Sequence, residues 1–330
     1  MPINILYPLI CSVYVIFIFP IFYFKWLYKN KFVSLTFLLV PIFITTATQV
    51  NIGTDYPSYI ALYRGEFPFD ASKGVIFNFL FDNLSLISDN PRSLFVMVSF
   101  LQCFFLFFIY KKIITTYGTE IFIFFLITYF CLTFTSSFNI FRSSLACMVL
   151  TYSFISYLPK KKHWKYCSSV LLATLFHPTA ILFVFLPLFV NIFNKRISTV
   201  VLISIIVVGF WLGQARFISI LAEWLYNVLP PGTPYRFYLI SKHMNSYIVG
   251  MGLGMIINVM FCCVGVYFVR YEKRNDLVFF YNISIVVYSL GMVFYFNPIF
   301  NRVLYYFVFF QAFYLAILMS NLSRGRYLYS

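Results

Sequence analysis

Short clusters of Lys and Arg cut this chain into apolar runs of roughly 15 to 25 residues, the length at which a helix spans the ~30 Å hydrocarbon core of a bilayer. The runs fall at 4–24, 33–50, 93–112, 120–137, 141–158, 166–193, 197–213, 247–269, 277–296 and 303–321. Only 10% of the residues are charged, against about a quarter in a soluble domain. The pattern predicts an all-α, polytopic membrane helix bundle. It predicts one transmembrane domain over 1–330, with no room for a sizeable soluble domain.

The basic clusters set the predicted topology. They are Lys25/Lys29/Lys31, Lys111/Lys112, Lys160/Lys161/Lys162/Lys165, Lys195/Arg196, Arg270/Lys273/Arg274 and Arg324/Arg326. Basic loops stay on the cytoplasmic side. The clusters alternate with single crossings except around 166–193, which starts after one cluster and ends at another. His177-Pro178 stands near its middle. Proline removes an intrahelical hydrogen bond and disfavours helix at the residue before it. The run is therefore read as a helical hairpin whose halves, near 166–176 and 178–193, meet at His177 on the outer side. That makes ten to eleven crossings. It leaves sixteen of the 24 Lys and Arg residues inside.

The first run has no basic region before it and is followed by Lys25, Lys29 and Lys31, the reverse of a secretory signal. It reads as a retained helix with its amino terminus outside. The formal net charge of +15 would suggest nucleic acid in a soluble chain. Here the basic residues flank helices, and no basic helix or aromatic RNA-binding signature accompanies them, so nucleic acid is excluded. Cys11, Cys103, Cys131, Cys262 and Cys263 lie in apolar runs without paired spacing and read as small apolar side chains.

Two outer segments, 51–92 and 214–246, are too long to be turns. In the second, Phe217 to Leu229 has an apolar stripe with Glu223 and Asn227 on the other face, which predicts an interfacial helix. Pro230-Pro231-Gly232-Thr233-Pro234 then breaks the chain. No internal repeat is evident.

The polar constellations fall on the outer side. The first is Asn51-Ile52-Gly53-Thr54-Asp55-Tyr56, with Pro57, Tyr59 and Tyr63 following. Gly53 lets the backbone turn or approach a ligand. Asp55 and Pro57 mark a helix start. The residues fit an N-cap with interfacial tyrosines, and equally a carboxylate flanked by aromatic platforms that suit a sugar. The second is Asn139-Ile140-Phe141-Arg142-Ser143-Ser144, an Arg at a helix entrance. It can snorkel there, or join backbone amides in holding phosphate. The third is Phe176-His177-Pro178-Thr179, a titratable imidazole at the predicted break. The fourth is Asn297-Pro298-Ile299-Phe300-Asn301-Arg302, with Tyr305 and Tyr306 after it. No Walker loop, dinucleotide fingerprint, His-Glu-x-x-His motif, nucleophile elbow or Asp-x-Asp pair is present. An ATP-driven machine is excluded for this chain alone, and neither a metal nor a cofactor is expected.

These segments resemble the EpsG-like family of polysaccharide repeat-unit polymerases, related to the Wzy-type O-antigen polymerases. Gly53-Thr54-Asp55-Tyr56 with Tyr59, Asn139-Ile140-Phe141-Arg142, the basic turn from Lys160 to Lys165, Phe176-His177-Pro178-Thr179-Ala180 and Asn301-Arg302 with Tyr305-Tyr306 carry the resemblance in that order. The family usually has Gln after the Arg and Ser after the His; here these are Ser143 and Pro178. The resemblance implies a metal-independent glycosyltransferase of the bacterial inner membrane with its active site facing the periplasm. Such an enzyme joins undecaprenyl-diphosphate-linked oligosaccharide repeat units, donor and acceptor alike, into O-antigen or a related surface polysaccharide. Its partners would be the lipid bilayer, a chain-length regulator and a flippase.

On this reading Arg142 and Arg302, with Arg216 or Arg236, neutralise the leaving diphosphate. Asp55 or His177 takes the proton of the acceptor hydroxyl. Tyr56 and Tyr59 line the sugar path, and Gly53 and Asn139 complete the binding set. A lipid-linked oligosaccharide flippase or other secondary transporter is the rival. It would bury charge at the midplane and often shows repeated halves, whereas the charges here flank the helices. A polytopic acyltransferase using His177 would need a cytosolic acyl donor, on the side opposite to the predicted one.

Overall fold

The computed structural model describes residues 31–50, 55–66, 74–134, 138, 140–231, 236–239, 253–295 and 303–323. The run 4–24 and the site candidates Gly53, Asn139 and Arg302 lie outside them. All regular structure among the described residues is helical, as the pattern of apolar runs predicts. Two compact units divide the chain. One takes in the described residues as far as Phe185 together with Val308–Ser320, and the other runs from Leu186 to Phe307 and includes Asn321 onward.

Among the described residues the first unit begins with α1 (Lys31–Ala47), which carries Pro41 in its interior. In apolar surroundings a hydroxyl needs a local acceptor. Thr45, Thr46 and Thr48 donate back to the carbonyls of Pro41, Ile42 and Ile44 at 2.8, 2.8 and 2.7 Å. Two short helices occupy the first long loop, α2 (Tyr56–Tyr63) and α3 (Val75–Ile87). Next come α4 (Arg92–Tyr117), α5 (Thr119–Leu132), α6 (Phe141–Ser156) and α7 (His163–Phe176). The described part of the chain closes with α14 (Val308–Ser323).

Aromatic contacts fix the directions of these helices. Phe95 meets Phe141 at 5.5 Å and Phe108 meets Tyr152 at 6.3 Å, so α4 and α6 run parallel. Tyr166 stacks on Phe154 at 6.0 Å, and a six-residue turn joins α6 to α7, so these two are antiparallel. At 1.5 Å per residue they are about 24 and 21 Å long. The end of α7 therefore returns to the level at which α6 began. α14 runs against α5: Thr128 donates to the Ala312 carbonyl at 2.7 Å, and the Ser320 hydroxyl donates to the Glu120 carboxylate at 3.1 Å. At the other end of α4 and α6, Lys112 lies against Lys160 and Lys162. Two of the basic clusters thus share one end of the unit, and the starts of α4 and α6 share the opposite one.

The chain reverses at His177, as the hairpin reading predicts. His177 is extended at φ −147°, ψ 116°, and the Tyr166 hydroxyl donates to the Phe183 carbonyl across the fold at 2.9 Å. The second limb differs from the expected α half-helix. Pro178–Phe189 is wound as a 3₁₀ helix before one α-turn, α8 (Val190–Phe193). Pro187 inside this limb has no N–H for an α-ladder, which favours the tighter winding.

The second unit contains α8, α9 (Thr199–Gln214), α10 (Phe217–Val228), α11 (Arg236–Leu239), α12 (Leu253–Tyr271) and α13 (Asn275–Val293). α9 lies directly on α13 through Gly209 and Gly213. A Cβ at Gly209 would stand 2.8 Å from the Ser289 carbonyl oxygen, and one at Gly213 would collide with the Met292 carbonyl. Small residues four apart let helix backbones touch in a membrane. Buried Asn282 donates to the carbonyls of Phe193 and Lys195 at 2.9 and 2.8 Å, which closes the end of α8. Arg196 donates to the Glu272 carbonyl, which brings the Lys195/Arg196 and Arg270/Lys273/Arg274 clusters to one end of this unit. The axes of α9 and α10 diverge by 62° at the break before Phe217. The predicted helix over 217–229 is present. Its Glu223 and Asn227 are exposed, and so are Ile220, Trp224 and Val228.

Four helices among the described residues are long and apolar enough to cross a membrane, or five if α9 and α10 form one bent span. The shorter apolar helices Leu38–Ala47, Val75–Ile87, Thr119–Leu132 and Pro178–Phe193 add to these. The chain is a polytopic helical membrane protein.

Candidate functional site

The predicted constellation around Asp55 is assembled by α2, α4 and α6 of the first unit. α2 starts at Tyr56 because Pro57 suits a first helical turn. Asp55 occupies the N-cap position at φ −88°, ψ −10°, but its carboxylate makes no capping hydrogen bond to the helix. Its charge is felt instead at the Tyr59 hydroxyl one turn on.

Tyr59 is the centre of the cluster. It is 5% exposed, and its ring lies 4.9 Å from that of Phe141. Its hydroxyl accepts from the Arg142 guanidinium and from the Phe141 backbone N–H, at the amino end of α6. Burial pushes the phenol up, Arg142 draws it partly back and Asp55 pushes it up again, which together leave it at about 12. At neutral pH it keeps its proton. Tyr56 is half-buried and stacks on Phe95 at 4.9 Å, and Phe95 meets Phe141 at 5.5 Å. Tyr56, Phe95, Phe141 and Tyr59 therefore form a continuous aromatic wall with Asp55 and half-buried Arg142 at its edge.

Tyr63 fastens this wall to the loop. Its hydroxyl lies 2.7 Å from the Ser88 carbonyl and 2.6 Å from Ser93 Oγ, between the end of α3 and the start of α4. Gly74 fastens the loop to the hairpin. It takes φ +110°, and a Cβ there would stand 2.5 Å from the Phe176 carbonyl oxygen. The residue after Phe176 is His177, whose Nδ1 lies 2.9 Å from Thr179 Oγ1. Asp55, Tyr59, Arg142 and His177 are thus brought to one end of the first unit.

Arg216 and Arg236 belong to the second unit. Arg216 sits in a left-handed conformation at φ 52°, ψ 35°, where α10 begins. Arg236 lies over the Tyr226 ring at 4.3 Å and donates through Nε to the Tyr226 carbonyl at 3.0 Å, so part of its fork is used locally. Phe95 and Gly74 were missed from the sequence as site-forming residues, whereas Tyr63 and Phe141 stood in two of its polar constellations. Phe95 is indistinguishable there from the chain's other 44 Phe residues, and Gly74 is one glycine among 13. Among the described residues no three His, Cys, Asp or Glu side chains converge as metal ligands would.

A family model described as the EpsG family matches residues 32–327. The chain belongs to the EpsG family. The match takes in both units and all four polar constellations, Asp55, Arg142, His177 and Arg302 included. No curated protein and no solved structure matches the chain. EpsG proteins form a Wzy-like polymerase family, which places this chain among polymerase-like membrane proteins of surface-polysaccharide or pilin-related processes.

Proposed function

We propose that this EpsG-family chain is a glycosyltransferase that joins undecaprenyl-diphosphate-linked oligosaccharide repeat units into O-antigen or a related surface polysaccharide at the periplasmic face of the inner membrane. The observation that carries the reading is the meeting of Arg142, Tyr59 and Asp55 on an aromatic wall at one helix-bundle end. Each part suits one part of the substrate. Aromatic faces stack on sugar rings, and a planar guanidinium binds phosphate oxygens bidentately.

In the proposed step the acceptor hydroxyl oxygen attacks the anomeric carbon of the donor sugar. The bond from that carbon to the diphosphate oxygen breaks, and the diphosphate leaves with the electron pair. Arg142, held by Tyr59, neutralises the charge that develops on the diphosphate. Arg302 is the second candidate for this role. The hydroxyl proton passes to Asp55 or His177. With Nδ1–H donating to Thr179, His177 Nε2 would carry the lone pair a base needs. Direct displacement of this kind inverts the anomeric centre. Arg216 and Arg236 are further candidates for holding diphosphate. Deleting the gene and reading the surface glycan tests the proposal. A single capped repeat unit is the expected result. Complete loss of surface glycan would overturn it in favour of a flippase.

A further inference from the structure

A polar side chain that is buried without a partner loses its bonds to water and gains none in return, so native interiors hold few of them. Gln49 is one. It lies two residues beyond α1 and is 3% exposed, and neither its Nε2 nor its Oε1 has a hydrogen-bond partner. The contrast with its neighbours is sharp. The hydroxyls of Thr45, Thr46 and Thr48 are all satisfied by the helix that precedes it.

Its position ties it to the site. α1 lies against α4 at the level of Leu39 and Cys103, and Gln49 is only six residues from Asp55. Six extended residues reach at most ~21 Å. Tyr56, next along, stacks on Phe95 near the start of α4. Gln49 therefore stands at the end of the first unit that holds Asp55, Tyr59 and Arg142. Two more orphaned buried atoms share this end. Ser144 Oγ lies in the first turn of α6, two residues after Arg142, and Asn78 Oδ1 lies in the first turn of α3, beyond Gly74.

We infer that Gln49 is a specificity residue that reads the sugar of the lipid-linked repeat unit. Its carboxamide offers a donor beside an acceptor. The complementary ligand group likewise accepts and donates side by side: an acetamido substituent, or two neighbouring ring hydroxyls. Asp55 when ionised only accepts and Arg142 only donates, so neither supplies this pairing. A site built to bond such a group rejects an analogue lacking it, because the buried amide is then left unpaired. The inference rests on the polymerase reading.

The test uses the full chain in nanodiscs, with lipid-linked repeat units purified from the host lacking this gene. Gln49→Leu and Gln49→Glu are compared with wild type by melting temperature and by the kinetics of unit coupling. Replacing an unpaired amide with an apolar group of similar shape should leave the melting temperature unchanged or raise it. Gln49→Leu should also raise KM for the unit about tenfold or more, with kcat within about threefold, as expected for lost binding without lost chemistry. Gln49→Glu, which has no amide donor, should raise KM as well. A fall of several degrees in the melting temperature of Gln49→Leu would show that the amide serves a structural partner or a buried water, and would overturn the assignment. An unchanged KM beside an active wild type would overturn Gln49 alone. A wild type that couples no units would overturn the polymerase reading together with it.

Discussion

Tyr59 sets its hydroxyl on the Arg142 guanidinium while its ring packs 4.9 Å from Phe141, so one side chain joins the first long loop to the start of α6. The contact orients an Arg that could otherwise snorkel freely at a helix entrance. It also ties the carboxylate of Asp55 to the same helix end, because Asp55, the N-cap of α2, lies one turn before Tyr59.

This contact predicts a graded mutational response. Arg142→Lys keeps the charge but loses the planar fork, so coupling of lipid-linked units should fall about a hundredfold or more. Tyr59→Phe keeps the ring and loses only the hydroxyl, so the fall should be about tenfold. Both proteins should insert and extract from membranes in normal amounts. A fully active Tyr59→Phe would remove the positioning role of the hydroxyl.

The raised phenol predicts a pH dependence. The folded state holds the Tyr59 proton more tightly than the unfolded chain does, because burial disfavours the phenolate. The associated stability is complete below about pH 10 and is lost as pH rises through about 12. Thermal melts between pH 9 and 12 should show a shallower decline for Tyr59→Phe than for wild type.

Asp55 and His177 are separable as bases. Asp55→Asn and His177→Gln keep size and hydrogen-bonding shape. Whichever residue takes the acceptor proton, its replacement should lower kcat about a hundredfold or more and erase the acidic limb of the pH–rate profile. Thr179→Val should move that limb only if His177 is the base, because Thr179 lies 2.9 Å from its Nδ1. Two replacements that both leave the limb in place would exclude the pair.

Gly74 and Gly65 make a matched pair. Both have positive φ, at 110° and 70°, but a Cβ on Gly74 meets the Phe176 carbonyl while one on Gly65 meets nothing within 4 Å. Gly74→Ala should cost roughly 2–4 kcal/mol of strain and overlap, and Gly65→Ala roughly 1. Differential scanning of the two variants would measure this. Equal melting temperatures would contradict the close contact.

The seam between α9 and α13 yields a last prediction. Gly213→Ala should disrupt the backbone contact with Met292 and lower the melting temperature by several degrees, whereas Ala at exposed Ser168 should change little. The variant serves as a stability control for the second unit, since it changes no candidate site residue.

Much of the fold was legible in the sequence because a bilayer allows few solutions. Backbone polar groups in hydrocarbon must be satisfied within the segment, so each apolar run had to be helical. The placing of Lys and Arg then predicted an order of crossings, and within the first unit Lys112 does meet the Lys160–Lys162 turn at one end. His177-Pro178 announced a reversal because proline forbids the helix to continue, and the reversal is there. The 3₁₀ winding of the limb after it was not anticipated. Pro187 marks the lost N–H, but a period of 3.0 and one of 3.6 cannot be told apart in a limb that is apolar on every face.

The candidate site was legible as residue types and order, and its assembly was not. Asp55, Tyr59, Arg142 and His177 stand out as polar residues at helix boundaries. That Tyr59 meets Arg142, that Phe95 and Phe141 complete the wall, and that Gly74 rests on Phe176 were decided by tertiary packing. The same packing leaves the Gln49 amide buried without a partner. Periodicity and charge act along one segment at a time, so a chain can announce where its helices lie and which ends face together. Which side chains touch at those ends depends on helix rotation and close packing between segments far apart in the chain, and no single segment encodes that.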